Sequence, residues 1–370
     1  MVRLTRAQQQ ERTQAAVLAA ARDEFAEHGF VEAKVDRIAE RAELTRGAVY
    51  SNFPGKRALY LAVLVDMVEG SAAGEVPRSS PPSAAAALGA FARVWLERLP
   101  LAGDTPAGGH LQLRSLTGVV DDEPARTALA QVTGLEALLL GLALESGGPQ
   151  RTGQARRVRV AELVLTLLHG AGHLAETAPG VGDPFDVAHA CEHLAGLDLD
   201  DTWDPPHLPF VAPAQPCHDP WVPPAELPDR LTGRRAGLDG DGVVAFLGTS
   251  RLAAAEEAVR GARPGDRVTV VVLTADPAET GRLVRLRTSD LTECLRRVFA
   301  PDRWPRLQLV LDERGLAASA AGMPDAGDAT EAAVRIRDGG IVARANGRGA
   351  AHAAATAGDA NTTRPHGPGA

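Results

Sequence analysis

Residues 34–60, KVDRIAERAELTRGAVYSNFPGKRALY, constrain the fold more than any other stretch of this sequence. Val35, Ile38, Ala39 and Ala42 recur at helical spacing and line one apolar face of a short helix. Glu43-Leu44 breaks that pattern. Thr45 is a good N-cap for a second short helix over Arg46–Asn52, and Pro54-Gly55 stops it before a further helix opens at Lys56. Two short helices joined by a turn of three or four residues form a helix-turn-helix, whose second helix suits the DNA major groove.

The rest of the head is built around this pair. An amphipathic helix is expected from Gln8 to His28, with Ala16, Leu18, Ala21 and Phe25 facing inward and Arg12, Gln14, Asp23 and Glu24 outside; Gly29 ends it as a C-cap. A fourth helix, about Lys56 to Ala73, brings Leu59, Ala62, Val63 and Val68 to the same core. The composition then breaks at the flexible joint GEVPRSSPPS (74–83). Helical patterns resume at 84–99, 111–120, 123–144, 152–176 and 184–197, and 135–144, LEALLLGLAL, is apolar nearly all round, the mark of a buried bundle helix.

A chain of 370 residues should hold two or three domains. Its net charge of −8 excludes a protein coated in nucleic acid, so any DNA contact must be local; residues 1–57 carry ten Lys/Arg against eight Asp/Glu. Three widely spaced cysteines (Cys191, Cys217, Cys294) argue against a disulfide framework and for a cytoplasmic home. No apolar run is read as reaching 18 residues, and no membrane partner or secretory leader is expected.

The segment AELTRGAVYSNFPGKRALY resembles the signature of the TetR family of bacterial repressors, over about residues 10–65; over 84–200 the likeness is architectural. The resemblance implies an all-α DNA-binding head (1–73) and a helical ligand-binding and dimerisation domain (84–200). It puts Thr45, Arg46, Gly47, Tyr50 and Asn52 on the DNA-facing helix, Lys56 on a phosphate-holding lysine, and Lys34 in a similar role. The chemistry agrees. Arg46 suits a bidentate contact to guanine, Asn52 or Thr45 a base edge or phosphate, Tyr50 and Lys56 the DNA backbone, and Gly47 close approach. Phe25, Ile38, Leu44, Val49 and Phe53 read as core. The implied partners are a double-stranded palindromic operator, an unidentified small-molecule effector, and a second copy of the chain, paired through helices 152–176 and 184–197. The effector pocket is expected inside the bundle around 84–145, with Trp95, His110, Gln112 and Arg114 as candidates.

The pairing helices carry His169/His173 and His189/His193, each pair at i,i+4, with Cys191 between the second two. That spacing is one a metal could use. No glutamate follows His169 as a metalloprotease motif requires, so interface histidines, able to tune dimerisation with pH, are the reading taken, with no metal and no cofactor.

Nine prolines between 205 and 228 mark 201–241 as an extended linker or wrapping arm. Beyond it the period changes to strands at 243–248, 267–274 and 307–311 and a hairpin over 332–347, with a helix at 250–262, two helices around 276–300 and a last one over about 348–356. This order implies a mainly parallel sheet with helices on both faces. It is similar in strand order, and in its ending LVLDERG…VRIRDGGIVARANG, to the thioredoxin-like fold, giving an α/β thioredoxin-like domain over 242–357 and a disordered tail at 358–370. The place of the redox cysteines reads Gly248-Thr249-Ser250-Arg251-Leu252, so the module is expected to be catalytically dead and the chain not an enzyme. The rival reading is a thiol-dependent oxidoreductase carried by this domain, and a third is a redox sensor acting through Cys294.

Overall fold

The computed structural model describes residues 5–71, 77, 79–99, 111–146, 156–300 and 307–358. His110, the tail from 359 onward and much of the 74–83 joint lie outside these residues. The chain forms two units: Met1–Asp201 with Asp276–Trp304, and Thr202–Ala275 with Pro305–Ala370.

The first unit is helical. Helix α1 (Arg6–Glu32) opens on a capping box between Thr5 and Gln8. Gly29, at φ 65°, leaves the helical conformation where the end was expected, and a last short turn, Phe30–Glu32, follows beyond this kink. Its inward face is Val17, Ala20, Ala21 and Phe25, while Ala16 is exposed. Glu24, expected outside, is fully buried. Helices α2 (Val35–Arg41), α3 (Arg46–Asn52) and α4 (Lys56–Gly70) follow at the expected places. Phe25, Ile38, Val49, Phe53 and Tyr60 form their shared core, with Leu44 packed against it.

Ser83 caps α5 (Ala84–Leu96), Asp122 caps α6 (Glu123–Glu145) and Asp183 caps α8 (Pro184–Leu194). Between α6 and α8 lies α7 (Val158–Thr177). All of 135–144 is buried, and at Gly141 an added Cβ would come 2.9 Å from Val158 Cα, so glycine lets α7 approach α6. By length and composition α6 could cross a membrane, although no unbroken apolar run in it reaches 18 residues; 67% of that window is buried inside the protein. The expected helix over 111–120 gives way to turns after Gln112. Arg114 (φ 52°) and Gly118 (φ 73°) are left-handed there, and the Ser115 carbonyl turns to accept the Tyr60 hydroxyl at 2.8 Å.

The second unit is a six-stranded mixed sheet in the order β1-β6-β5-β2-β3-β4, from β1 (Gln215–Pro220), β2 (Gly242–Gly248), β3 (Arg267–Leu273), β4 (Leu307–Leu311), β5 (Glu331–Arg337) and β6 (Gly340–Asn346). Only β2, β3 and β4 run parallel, in register Phe246↔Val271↔Val310; the other pairs are antiparallel, so the sheet is not mainly parallel. Helix α9 (Ala255–Gly261) packs with the Ala-rich α12 (Ala350–Thr356) and both lie against the sheet. The other face carries Val244, Phe246, Val271, Val334 and Ile336 and is covered by the short α11 (Leu316–Ala320) with Trp221, Ala236 and Leu238.

Two expectations fail here, for one reason. Of the two readings of the proline-rich 201–241 the linker fails and the wrapping arm fits: it supplies β1 and buries Trp221, Leu231 and Leu238, with the Trp221 indole N–H donating to Leu238 O. β1 sits at the sheet edge, where proline's missing N–H is tolerated. The helical stretch 276–300 is a single helix, α10 (Thr280–Val298), and it belongs to the helical unit, so the 242–357 segment is not one body. In both cases apolar side chains found long-range partners that local composition does not reveal.

Candidate nucleic-acid interface

Helix α3 buries one side chain of its seven, Val49. A helix this short gains little from propensity, so its hold on the head comes from that valine, from Phe53 just after it, and from its cap. Thr45 Oγ1 accepts the Ala48 N–H at 3.2 Å. The turn before it holds Glu43 at φ 55°, a strained place for a residue with a Cβ. The result leaves Thr45, Arg46, Gly47, Tyr50 and Ser51 exposed together. A Cβ on Gly47 would meet nothing closer than Thr45 Oγ1 at 3.8 Å, so packing inside the protein does not require glycine there.

The Arg46 guanidinium lies 3.2 Å from Asp36 Oδ1 on α2 and 5.5 Å from the centre of the Tyr50 ring. It is held loosely, in water, on the outer face. Asn52 is half-buried and donates back to Ala48 O at 2.9 Å. Lys34 is exposed at the start of α2. Lys56 is more occupied than expected. Its ammonium donates to Val31 O (3.0 Å) and Ala33 O (3.2 Å) and stands 4.7 Å over the Phe30 ring, so two of three donors hold the end of α1.

The sequence reading missed what fixes α2. Glu24, on α1, accepts the Lys34 backbone N–H at 3.0 Å and Arg37 Nε at 2.8 Å, while Arg41 Nη2 lies 3.4 Å from its other oxygen. Helix α2 has no side-chain cap of its own, so this buried carboxylate takes that part from ten residues upstream.

The bundle interior also differs from expectation. Trp95 is buried beneath the Arg98 guanidinium, 3.8 Å from its ring centre, with His169 edge-on at 5.3 Å. Arg114 lies 3.2 Å from Asp290 of α10, and Gln112 is exposed. Trp95 and Arg114 are therefore packing and ion-pair residues. Burial pushes the Asp290 carboxyl up, but Arg98 and Arg114 outweigh it and hold it below the usual carboxylate range. Glu136 goes the other way: burial raises it and Arg287 of α10 offsets only part. His169 meets the same Arg287 Nη2, and burial followed by that charge lowers it to about 3, so it is neutral at ordinary pH. His189 and His193 are exposed with ring nitrogens 3.1 Å apart. Among the described residues no group of three or more His, Cys, Asp or Glu is placed to hold a metal.

In the sheet unit the loop after β2 carries no thiol. Thr249 and Thr274 both donate to Asp328 Oδ1, at 2.7 and 2.8 Å, and Ser250 donates to Asp328 O at 2.6 Å. Cys294 lies on α10 in the helical unit, so it cannot act as the sheet unit's sensor; burial, then the nearby Asp290 charge, pushes its thiol up to about 12.

Residues 17–63 match the profile of the bacterial regulatory proteins of the tetR family, so the chain carries a TetR-type helix-turn-helix DNA-binding domain. Among solved structures it is similar to a transcriptional regulator from Rhodococcus sp. Rha1, with 26% identity over 50% of this chain and 96% of that one and a TM-score of 0.33. It is also similar to a TetR-family transcriptional regulator from Pectobacterium atrosepticum, with 24% identity over 52% and 95% and a TM-score of 0.34. No curated protein matches the chain.

Proposed function

We propose that this chain is a cytoplasmic, ligand-responsive transcriptional repressor that binds a palindromic operator as a homodimer and has no enzymatic activity. The observation that carries the reading is α3: a capped helix with one buried residue and its polar face turned outward, inside the segment that matches the tetR family profile. In this reading Arg46 reads a base edge through its guanidinium fork, with Thr45 and Asn52 at its side. Tyr50, Lys34 and Lys56 meet phosphates and set the register, Lys56 with the donor it has left.

Pairing of two copies is supported by large apolar side chains left in water. Leu163 and Leu174 on α7, Phe185 on α8 and Leu197 just beyond are exposed large hydrophobics, Phe185 at 77%. A homodimer through 152–176 and 184–197 would cover them. The sheet unit is read as a thioredoxin-like module without redox chemistry; the β6-β5-β2-β3 order, hairpin and closing helix support the likeness, and Thr249-Ser250 stand where the thiols would be.

The test is selection of duplexes from random-sequence DNA by the full chain, followed by fluorescence anisotropy at several salt concentrations. Arg46→Ala should relax base preference at one position of each half-site, whereas Tyr50→Ala and Lys56→Ala should weaken all sequences alike. Affinity untouched by all three overturns the assignment of α3. Phe185→Asp should turn a dimer into a monomer in sedimentation velocity.

A further inference from the structure

Helix α10 lies in sequence between two strands of the sheet unit, yet its side chains are spent on the helical unit. Leu283 and Leu286 join the core of the DNA-reading head itself. Its N-terminal end reaches the joint between α3 and α4. Arg282 places its guanidinium 5.5 Å over the Phe53 ring and donates to Ala58 O at 3.0 Å. Glu279, just before α10, pairs with Arg57, and its Oε1 would stand 3.2 Å from a Cβ added at Gly55. One turn on, Arg285 makes a bidentate pair with Glu69 of α4, at 2.9 and 2.7 Å.

The rest of the helix holds the bundle. Arg287 takes the buried Glu136 of α6, Asp290 takes Arg98 beyond α5 and Arg114, and Arg297 takes Glu97 at 2.8 Å. Charges this deeply buried are tolerated only with partners on both sides, so the contact is specific and not a loose apolar packing. The interior expected to receive a small effector is met by this chain's own Arg287 and Asp290.

From this juxtaposition we infer that the partner of the head–bundle surface is α10 itself: an intramolecular clamp that joins α4 to α5 and α6 and sets the pose of the DNA-reading helix. The inference rests on the DNA-binding reading for its output only. A clamp of this kind gives α10 control of the head, since whatever moves α10 changes Glu279 and Arg285 against α4 at once. Coupling between sites of this order is commonly about 5- to 150-fold in affinity.

The test uses the full chain and a duplex it selects from random-sequence DNA. Glu279→Gln combined with Arg285→Gln removes both α4 pairs and leaves every proposed DNA contact in place. Its dissociation constant should move by about fivefold or more, while far-UV circular dichroism stays that of the wild type. The charge swap Arg285→Glu with Glu69→Arg should bring affinity back to within about twofold of wild type, and Arg285→Glu alone should not. A double variant that binds within about twofold of wild type overturns the clamp. If the wild type selects no duplex, the DNA reading falls and the clamp is judged by amide exchange across Arg46–Asn52. Faster exchange in the double variant then supports it, and unchanged exchange overturns it.

Discussion

Replacing Arg287 by Met keeps most of the buried stem and deletes the charge that faces Glu136. Glu136 has no exposed surface, and one of its oxygens already lacks a hydrogen-bond partner. Left without Arg287, its carboxylate has two courses: stay ionised in the bundle, at a cost on the order of 3–5 kcal/mol for a broken buried pair, or take up a proton. The second course sets a ceiling. Protonating a carboxyl of ordinary pKa 4.5 at pH 7 costs about 3.4 kcal/mol, at ~1.36 kcal/mol per unit. The helical unit of Arg287→Met should therefore lose up to about 3 kcal/mol at pH 7, less whatever the raised wild-type carboxyl already carries, and under about 1 kcal/mol at pH 5. The sign follows from a folded-state pKa raised above the unfolded one, whose contribution is complete at low pH and lost as pH rises. His169, released from the same guanidinium, can accept a proton and turn toward Glu136, which also shrinks the loss at low pH. Urea unfolding followed by far-UV circular dichroism at pH 5, 6 and 7 measures this, and adding Glu136→Leu should return most of the stability. A loss that does not vary with pH would refute the reasoning, since it would mean that the guanidinium stem and not the charge pair holds α10.

Other outcomes follow from the same geometry. Asp36→Asn frees Arg46 from its exposed partner and should tighten duplex binding by up to about fivefold, an effect that shrinks when measured on Arg46→Ala; anisotropy on the four chains decides it. Tyr60→Phe strands the buried Ser115 carbonyl and should cost about 1–2 kcal/mol, read by urea unfolding, with the head still able to bind DNA. His169 is held near 3 against an ordinary 6.5, so the unfolded chain binds the extra proton first and stability should fall below pH 6.5. A loss of roughly 1–2 kcal/mol by pH 5 should be absent in His169→Gln, in the same unfolding assay.

The helix-turn-helix was legible in the residues because its rules are local. A threonine cap, a valine at the single buried position and a Pro-Gly stop act over four or five residues, and α2, α3 and the start of α4 fall where those signals put them. The buried run 135–144 was equally plain, since a helix apolar on all sides has nowhere to go but inward. Glu24 was not legible. On α1 it sits among surface charges, and only the arrival of Lys34, Arg37 and Arg41 from the next helix makes its burial tolerable.

The same contrast covers the whole chain. Cap chemistry and hydrophobic period determined by themselves that a helix-turn-helix head comes first, that a helical bundle follows, and that strands come last. Tertiary structure alone decided that the proline-rich arm lines a sheet and that α10 leaves its neighbouring strands for the helical unit. Membership depends on which distant surface offers a leucine-sized gap and an opposite charge. Arg285, Arg287 and Asp290 acquire a role only from Glu69, Glu136, Arg98 and Arg114, residues that lie more than 150 positions away.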